Sequence, residues 1–142
     1  MKLTGATTAT VTANASGVYT FTGLSNGNYT VTPAKTGYSF APANQVITVN
    51  GANTTANFTS AVQTYTITGT ISGGGGAGAT VKLTGATTVT VTANASGAYT
   101  FTGVPNGSYT VTPTKSGHIF IPSSRTTTVN SGNVTGLNFI SL

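Results

Sequence analysis

The stretch Ala13 to Pro33 recurs with few changes as Ala93 to Pro113, and it constrains the fold more than any other feature of the chain. Each copy carries two runs in which large apolar residues alternate with threonine: Tyr19 and Phe21 against Thr20 and Thr22, then Tyr29 and Val31 against Thr30 and Thr32. Alternation at period two buries one face of a strand and wets the other. Between the runs lies Asn26-Gly27, which suits a tight turn between twisted strands, so the stretch predicts a β-hairpin. The repetition reaches beyond the hairpin. Lys2-Leu-Thr-Gly-Ala-Thr-Thr returns at Lys82, and Tyr19 with Tyr99, Lys35 with Lys115 and Pro42 with Pro122 keep an offset of 80, rising to 81 for Phe58 and Phe139. A unit of that length is too long for one layer of a solenoid. Two domains are expected, residues 1–60 and 61–142, each closing its own core.

In the second copy the alternating runs predict strands over Tyr65–Ile71, Ala79–Leu83 and Thr88–Ala93, two more in the hairpin Ala98–Pro113, then Thr126–Val129 and Val134–Ile140. Seven short strands with close turns and no helical period predict an antiparallel β-sandwich. Gly73-Gly-Gly-Gly-Ala-Gly78 lacks the Gly-Lys-Ser/Thr of a phosphate loop and is followed by no helix pattern, so it is expected to be a flexible connection. Ser60 to Thr64 is expected to link the domains.

The first copy differs where Met1 aligns with Val81: it has no equivalent of Thr64 to Thr80. The counterparts of Tyr65, Ile67 and Ile71 are therefore absent. At about 1.5 to 3 kcal/mol per large apolar side chain, that deficit is on the order of 5 to 9 kcal/mol, against roughly 5 to 15 kcal/mol for a whole small domain. The first domain is expected to be completed in one of two ways: by a strand lying upstream of Met1, the chain being a window of a longer tandem array, or by a strand from another copy through donor-strand addition or swapping. The expected acceptor edge is Lys2, Leu3, Thr4, Thr10 and Thr12, and the donor type is the first strand with Tyr65, Ile67 and Ile71.

Composition removes most chemistry. The 142 residues include no Asp, Glu or Cys and one histidine, His118. Carboxylate acid/base pairs, calcium and magnesium sites, thiolate catalysis and disulfides all need the missing groups. A histidine without an orienting carboxylate does not make a triad. No enzyme, no cofactor and no metal are expected. The net charge of +5 comes from Lys2, Lys35, Lys82, Lys115 and Arg125, which do not cluster, so no nucleic-acid partner is expected. No run has the length and apolarity of a membrane span, and no hydrophobic signal segment follows Met1, so no membrane insertion is expected. Tyr38 and His118 share one aligned position and are read as turn side chains.

The motif Asn94-Ala-Ser-Gly-Ala-Tyr-Thr-Phe-Thr-Gly-Val-Pro-Asn-Gly-Ser-Tyr-Thr-Val-Thr-Pro113, with Gly37-Tyr38, Pro42, Val49 and Asn57-Phe58 in the first copy, resembles the carboxypeptidase regulatory-like and collagen-adhesin B-type repeats of bacterial surface proteins. The resemblance implies an all-β chain of two tandem seven-stranded prealbumin-like (Ig-like) sandwiches, the first lacking its N-terminal strand. Some relatives carry a Lys–Asn isopeptide promoted by a buried acid. Lys2, Lys82 and several Asn are present here, but that acid and the calcium-binding acids of other relatives are absent. The implied role is a non-enzymatic structural repeat of an extracellular or cell-surface stalk or filament. Its expected partners are copies of itself or neighbouring repeats. The alternative is an adhesin-type module whose loops contact glycan or protein.

Overall fold

Threonine and β-branched residues in alternation give strands throughout, and no helix forms in the computed structural model, which describes residues 1–142. The chain divides into two units, Met1–Val62 and Gln63–Leu142.

In unit 1, β1 (Lys2–Gly5), β2 (Ala9–Thr10), β3 (Gly27–Thr32) and β5 (Gln45–Val49) form one sheet in the order β2-β1-β3-β5. β4 (Tyr38–Ala41) pairs separately with β6 (Thr59–Val62). Leu3 lies opposite Val31, and Tyr29 opposite Ile47, so alternate side chains reach one face. Leu3, Tyr29, Val31 and Ala56 are the buried apolar residues of this unit.

Unit 2 contains β7 (Thr64–Ser72), β8 (Thr80–Gly85), β9 (Val89–Thr92), β10 (Ala98–Pro105), β11 (Gly107–Thr114), β12 (Phe120–Ile121), β13 (Arg125–Val129) and β14 (Phe139–Ser141). They make two four-stranded sheets, β10-β7-β14-β12 and β13-β11-β8-β9. All pairs are antiparallel except β7 with β14. The shared core holds Ile67 and Ile71 from β7, Val81 and Leu83 from β8, Phe101 from β10, Val111 from β11 and Phe139 from β14. An all-β sandwich is thus the architecture that the alternation predicted.

Four local expectations are corrected. The repeated stretch is not a hairpin. β10 pairs with β7, whereas β11 pairs with β8 and β13, so the turn at Asn106-Gly107 carries the chain from one sheet to the other. Both sheets bury one face in the same core, and alternation is therefore the same whether two runs pair with each other or face each other. The turn residues are held by side chains: Asn106 Oδ1 accepts the Ser131 amide at 2.8 Å, and the Tyr109 hydroxyl donates to the Pro105 carbonyl at 2.9 Å. Unit 1 repeats both contacts, Asn26 with the Gly51 amide at 2.8 Å and Tyr29 with the Ser25 carbonyl at 2.9 Å.

Unit 2 has eight strands rather than seven, because Phe120 and Ile121 pair with Ser141 and Ile140. The glycine run is packed, not a loose loop. Gly75 and Gly76 are buried, a Cβ on Gly75 would overlap the Ser141 hydroxyl and the His118 ring, and one on Gly76 would overlap the Ile71 carbonyl. Finally, the expected linker is mostly strand, with only Gln63 between β6 and β7, because its amides find ladder partners on both sides.

Candidate strand-acceptor groove

The two units share a sequence but not a strand count, and the difference is localised. In unit 2, β7 lies between β10 on one side and β14 on the other. Ile67 faces Phe101, Gly69 faces Tyr99, and Tyr65 faces Val104 beyond an irregularity in the ladder. On its far side β7 also takes bonds from the segment ahead of β14: the Thr68 amide donates to the Val134 carbonyl at 2.9 Å, and the Leu137 amide to the Thr68 carbonyl at 3.2 Å.

Unit 1 holds counterparts of both flanks, Val18–Leu24 for β10 and Asn53–Ala56 for Val134–Leu137, but no strand between them within this chain. Between the flanks runs a groove of about 800 Å³, lined by Tyr19, Phe21, Leu24, Val31, Ile47 and Val49 among others, with no charged side chain in its wall. Val18–Leu24 makes no ladder and is not a strand. The burial of its side chains falls accordingly. Tyr99, Phe101 and Val104 are 3%, 0% and 0% exposed, whereas Tyr19, Phe21 and Leu24 are only half-buried.

The flank nevertheless keeps its shape, because short-range contacts fix it. Asn14 Oδ1 accepts the Ser16 and Val18 amides at 3.0 and 2.9 Å, as Asn94 does from Ser96 and Ala98 at the same distances. Tyr19 stands edge-on to Phe21 with centroids 5.9 Å apart, matching Tyr99 and Phe101 at 5.7 Å. The Tyr19 hydroxyl donates to the Ala56 carbonyl, and the Tyr99 hydroxyl donates to that of Leu137. Burial raises both phenols. Tyr99 is pushed up to about 12 against some opposition from Arg125, and Tyr19 moves in the same direction.

The residues expected to form an open acceptor edge are, for the most part, paired within unit 1 instead. Lys2 and Leu3 are paired on both sides, with Thr10 and Ala9 in β2 and with Thr32 and Val31 in β3. Thr4 pairs with Thr30, and Thr12 lies outside any strand. β2 is an edge, as is its counterpart β9 in the complete unit. The physical reason is that the first strand of the sandwich does not pair with the second: β7 belongs to the sheet of β10, not to that of β8. Tyr65, Ile67 and Ile71 do lie on that first strand, the two isoleucines buried and Tyr65 half-buried. Sequence reasoning missed Tyr19, Phe21, Leu24 and Asn53–Ala56 as groove walls. Their alternation was legible, but the identity of their partner was not.

One further pair was missed. Ser141, the buried polar residue of unit 2, has its Oγ 3.2 Å from His118 Nδ1 and accepts the Gly75 amide at 3.1 Å. With no carboxylate to orient the imidazole, this contact anchors the glycine run beneath β14.

Residues 66–141 match the family model of the carboxypeptidase regulatory-like domain, and residues 1–64 match that of the SpaA prealbumin-like fold domain. A relative described as chitinase ChiA of Flavobacterium johnsoniae is 49% identical over 72 residues, a match covering 49% of this chain and 5% of the relative. No solved structure matches the chain. The matched domain types are structural or binding modules rather than catalytic ones.

Proposed function

The chain belongs to the carboxypeptidase regulatory-like domain family, and from that premise we propose that it is a non-enzymatic structural repeat of an extracellular stalk or filament, its first sandwich completed by a strand from another repeat or subunit. The observation that carries this reading is the uncharged groove of unit 1, with Tyr19, Phe21 and Leu24 along one wall, which follows the path that β7 occupies in unit 2. An uncharged groove between two segments with unpaired backbone is suited to strand addition, in which main-chain bonds give affinity and alternate side chains fill the wall. The relative named a chitinase bears on location rather than on activity. The match covers about 5% of that relative, so the likeness reaches only a small part of a protein named a chitinase. Both likenesses are in keeping with a spacer or surface role. Every Tyr and Phe is at least partly buried, which favours assembly over aromatic glycan contact for this pair of modules.

The test is a chain in which a second copy of residues 64–80 precedes Met1. Amides of Val18–Leu24 should gain hydrogen-exchange protection comparable to Ala98–Val104, and unit 1 should unfold at higher denaturant. Unchanged protection in Val18–Leu24 would refute strand completion.

A further inference from the structure

We propose that the unit 1 groove selects an extended segment of one pattern, aliphatic-x-Gly-x-aliphatic as in Ile67-Thr-Gly-Thr-Ile71, and that the central glycine sets the register of the added strand. The proposal rests on the completion of unit 1 by strand addition and specifies what that strand must be.

Gly69 is buried at the middle of β7. It pairs with Tyr99, and a Cβ placed on it would overlap the Leu137 carbonyl and the hydroxyl end of the Tyr99 ring. The tyrosine lies over β7 and donates to the Leu137 carbonyl on the opposite flank, so the hydrogen bond forms a bar across the strand that only a glycine passes beneath. Unit 1 already has this bar. The Tyr19 hydroxyl reaches across the groove to the Ala56 carbonyl, the counterparts of the same two groups. An incoming strand therefore has one position at which a side chain is refused.

The flanking positions are apolar for the same geometric reason. In unit 2 the residue two before the glycine faces Phe101, and the one two after it faces Phe139. Their counterparts are Phe21 and Phe58, both half-buried against the unit 1 core. A charged inward side chain would meet no partner in a wall without charges. The direction is fixed as well: the segment runs antiparallel to Val18–Leu24 and parallel to Phe58–Ser60, as β7 does to β10 and β14. A one-residue slip would turn its apolar side chains outward and drive a side chain into the bar.

The occupant is a separate segment of this pattern rather than β7 of a second molecule. Ile67 and Ile71 are 0% and 2% exposed in their own unit, and withdrawing them to fill one groove would open an equal groove behind them.

The experiment adds the synthetic peptide Gln63–Ser72 to the full chain and follows backbone amide shifts and the unfolding midpoint of unit 1. Perturbations should concentrate in Val18–Leu24 and Asn53–Phe58, with stabilisation of unit 1 alone. The Gly69→Ala peptide should bind roughly tenfold to a hundredfold more weakly, as overpacking against fixed backbone does, while the Thr68→Ala peptide should bind like the parent. Equal binding of the parent and Gly69→Ala peptides would overturn the glycine rule and leave strand completion standing. Failure of every peptide to bind would overturn both. Concentration-dependent dimerisation of the chain without peptide, abolished by adding it, would make a second copy the occupant and overturn the assignment.

Discussion

Phe21 and Phe101 are one residue seen twice, and replacing each by alanine isolates what a neighbouring strand contributes. Phe101 is wholly buried and faces Ile67 of β7, so Phe101→Ala removes a fully packed ring at about 3 to 5 kcal/mol. Phe21 has the same edge-to-face partner, at 5.9 Å and 74° against 5.7 Å and 68°, so that part of the loss cancels between the two variants. What differs is the groove side of the ring. With one face open, Phe21→Ala should cost unit 1 about 1 to 2 kcal/mol, scaling with the apolar area removed from water. The expected gap between the two variants is roughly 2 kcal/mol. Urea unfolding followed by residue-resolved hydrogen exchange reads each unit separately in one sample. Filling the groove should then raise the Phe21→Ala penalty towards that of Phe101→Ala, because the same substitution would now leave a cavity. Equal penalties in the chain alone would mean that the groove is already closed, and the reasoning would fall.

Stability should depend on pH in one direction only. No Asp or Glu side chain is present to take up protons on unfolding, so the midpoint should hold nearly constant from about pH 7 to about pH 2; an unfolding transition centred in the carboxylate range would contradict this. On the alkaline side, burial lifts the Tyr99 hydroxyl from 10.0 to about 12, so the folded state keeps a proton that the unfolded state loses, and this contribution is complete below pH 10.0 and disappears as pH rises to about 12. Tyrosine absorbance and circular dichroism recorded together should show unit 2 unfolding as its phenol ionises. Gly69→Ala within the chain should destabilise unit 2 by about 1 to 3 kcal/mol and leave unit 1 unchanged; an unaltered unit 2 midpoint in denaturant would show that the tyrosine bar yields.

The sequence carried the facing of side chains well and their pairing poorly. Period-two alternation identified Tyr29, Val31, Ile67, Val81, Phe101 and Val111 as inward residues, and all of them are buried, whereas Tyr19, Phe21 and Tyr65, read the same way, are half-buried. It could not tell a hairpin from two strands in opposite sheets, since both bury one face in the same core. The Asn-Gly signal marked a real turn, but its work is done at long range, by Asn26 on the Gly51 amide and Asn106 on the Ser131 amide. The glycine run has the composition of a linker, yet contacts with nearby Ile71 and with His118 and Ser141, both far along the chain, make it packed. The expectation of an open edge at Lys2–Thr12 failed for a related reason. Adjacency in sequence points to Lys2–Thr12, whereas β7 pairs with strands beginning at Ala98 and Phe139. Only the absent counterpart of Tyr65–Ile71 was visible, not which walls it leaves exposed.

The duplicated chain separates two causes that most folds confound. Without a neighbouring strand, the Val18–Leu24 flank retains the backbone of its counterpart: Gly17 and Gly97 have φ of 80° and 78°, and Gly23 and Gly103 both 68°. The Asn14 hook, the aromatic pair and the tyrosine bar persist as well. Local sequence therefore sets the conformation of this flank, and a neighbouring strand, present as β7 in unit 2, sets its burial and its hydrogen bonding. In the strand completion proposed above, the ordering cost would therefore fall on the donor, because the Val18–Leu24 flank already has the shape of its counterpart in unit 2. A donor of high β-propensity loses less entropy on docking, and the threonines that alternate with Tyr65, Ile67 and Ile71 supply that propensity on the solvent side. The inward positions then set the register, while the outward threonines act on affinity only together, through the strand propensity of the whole segment. Replacing Thr66, Thr68 and Thr70 by glycine in the donor peptide should weaken its binding without shifting its register, with the same unit 1 amides perturbed at saturation. A changed set of perturbed amides would show that the threonines, and not the glycine beneath Tyr19, choose the register.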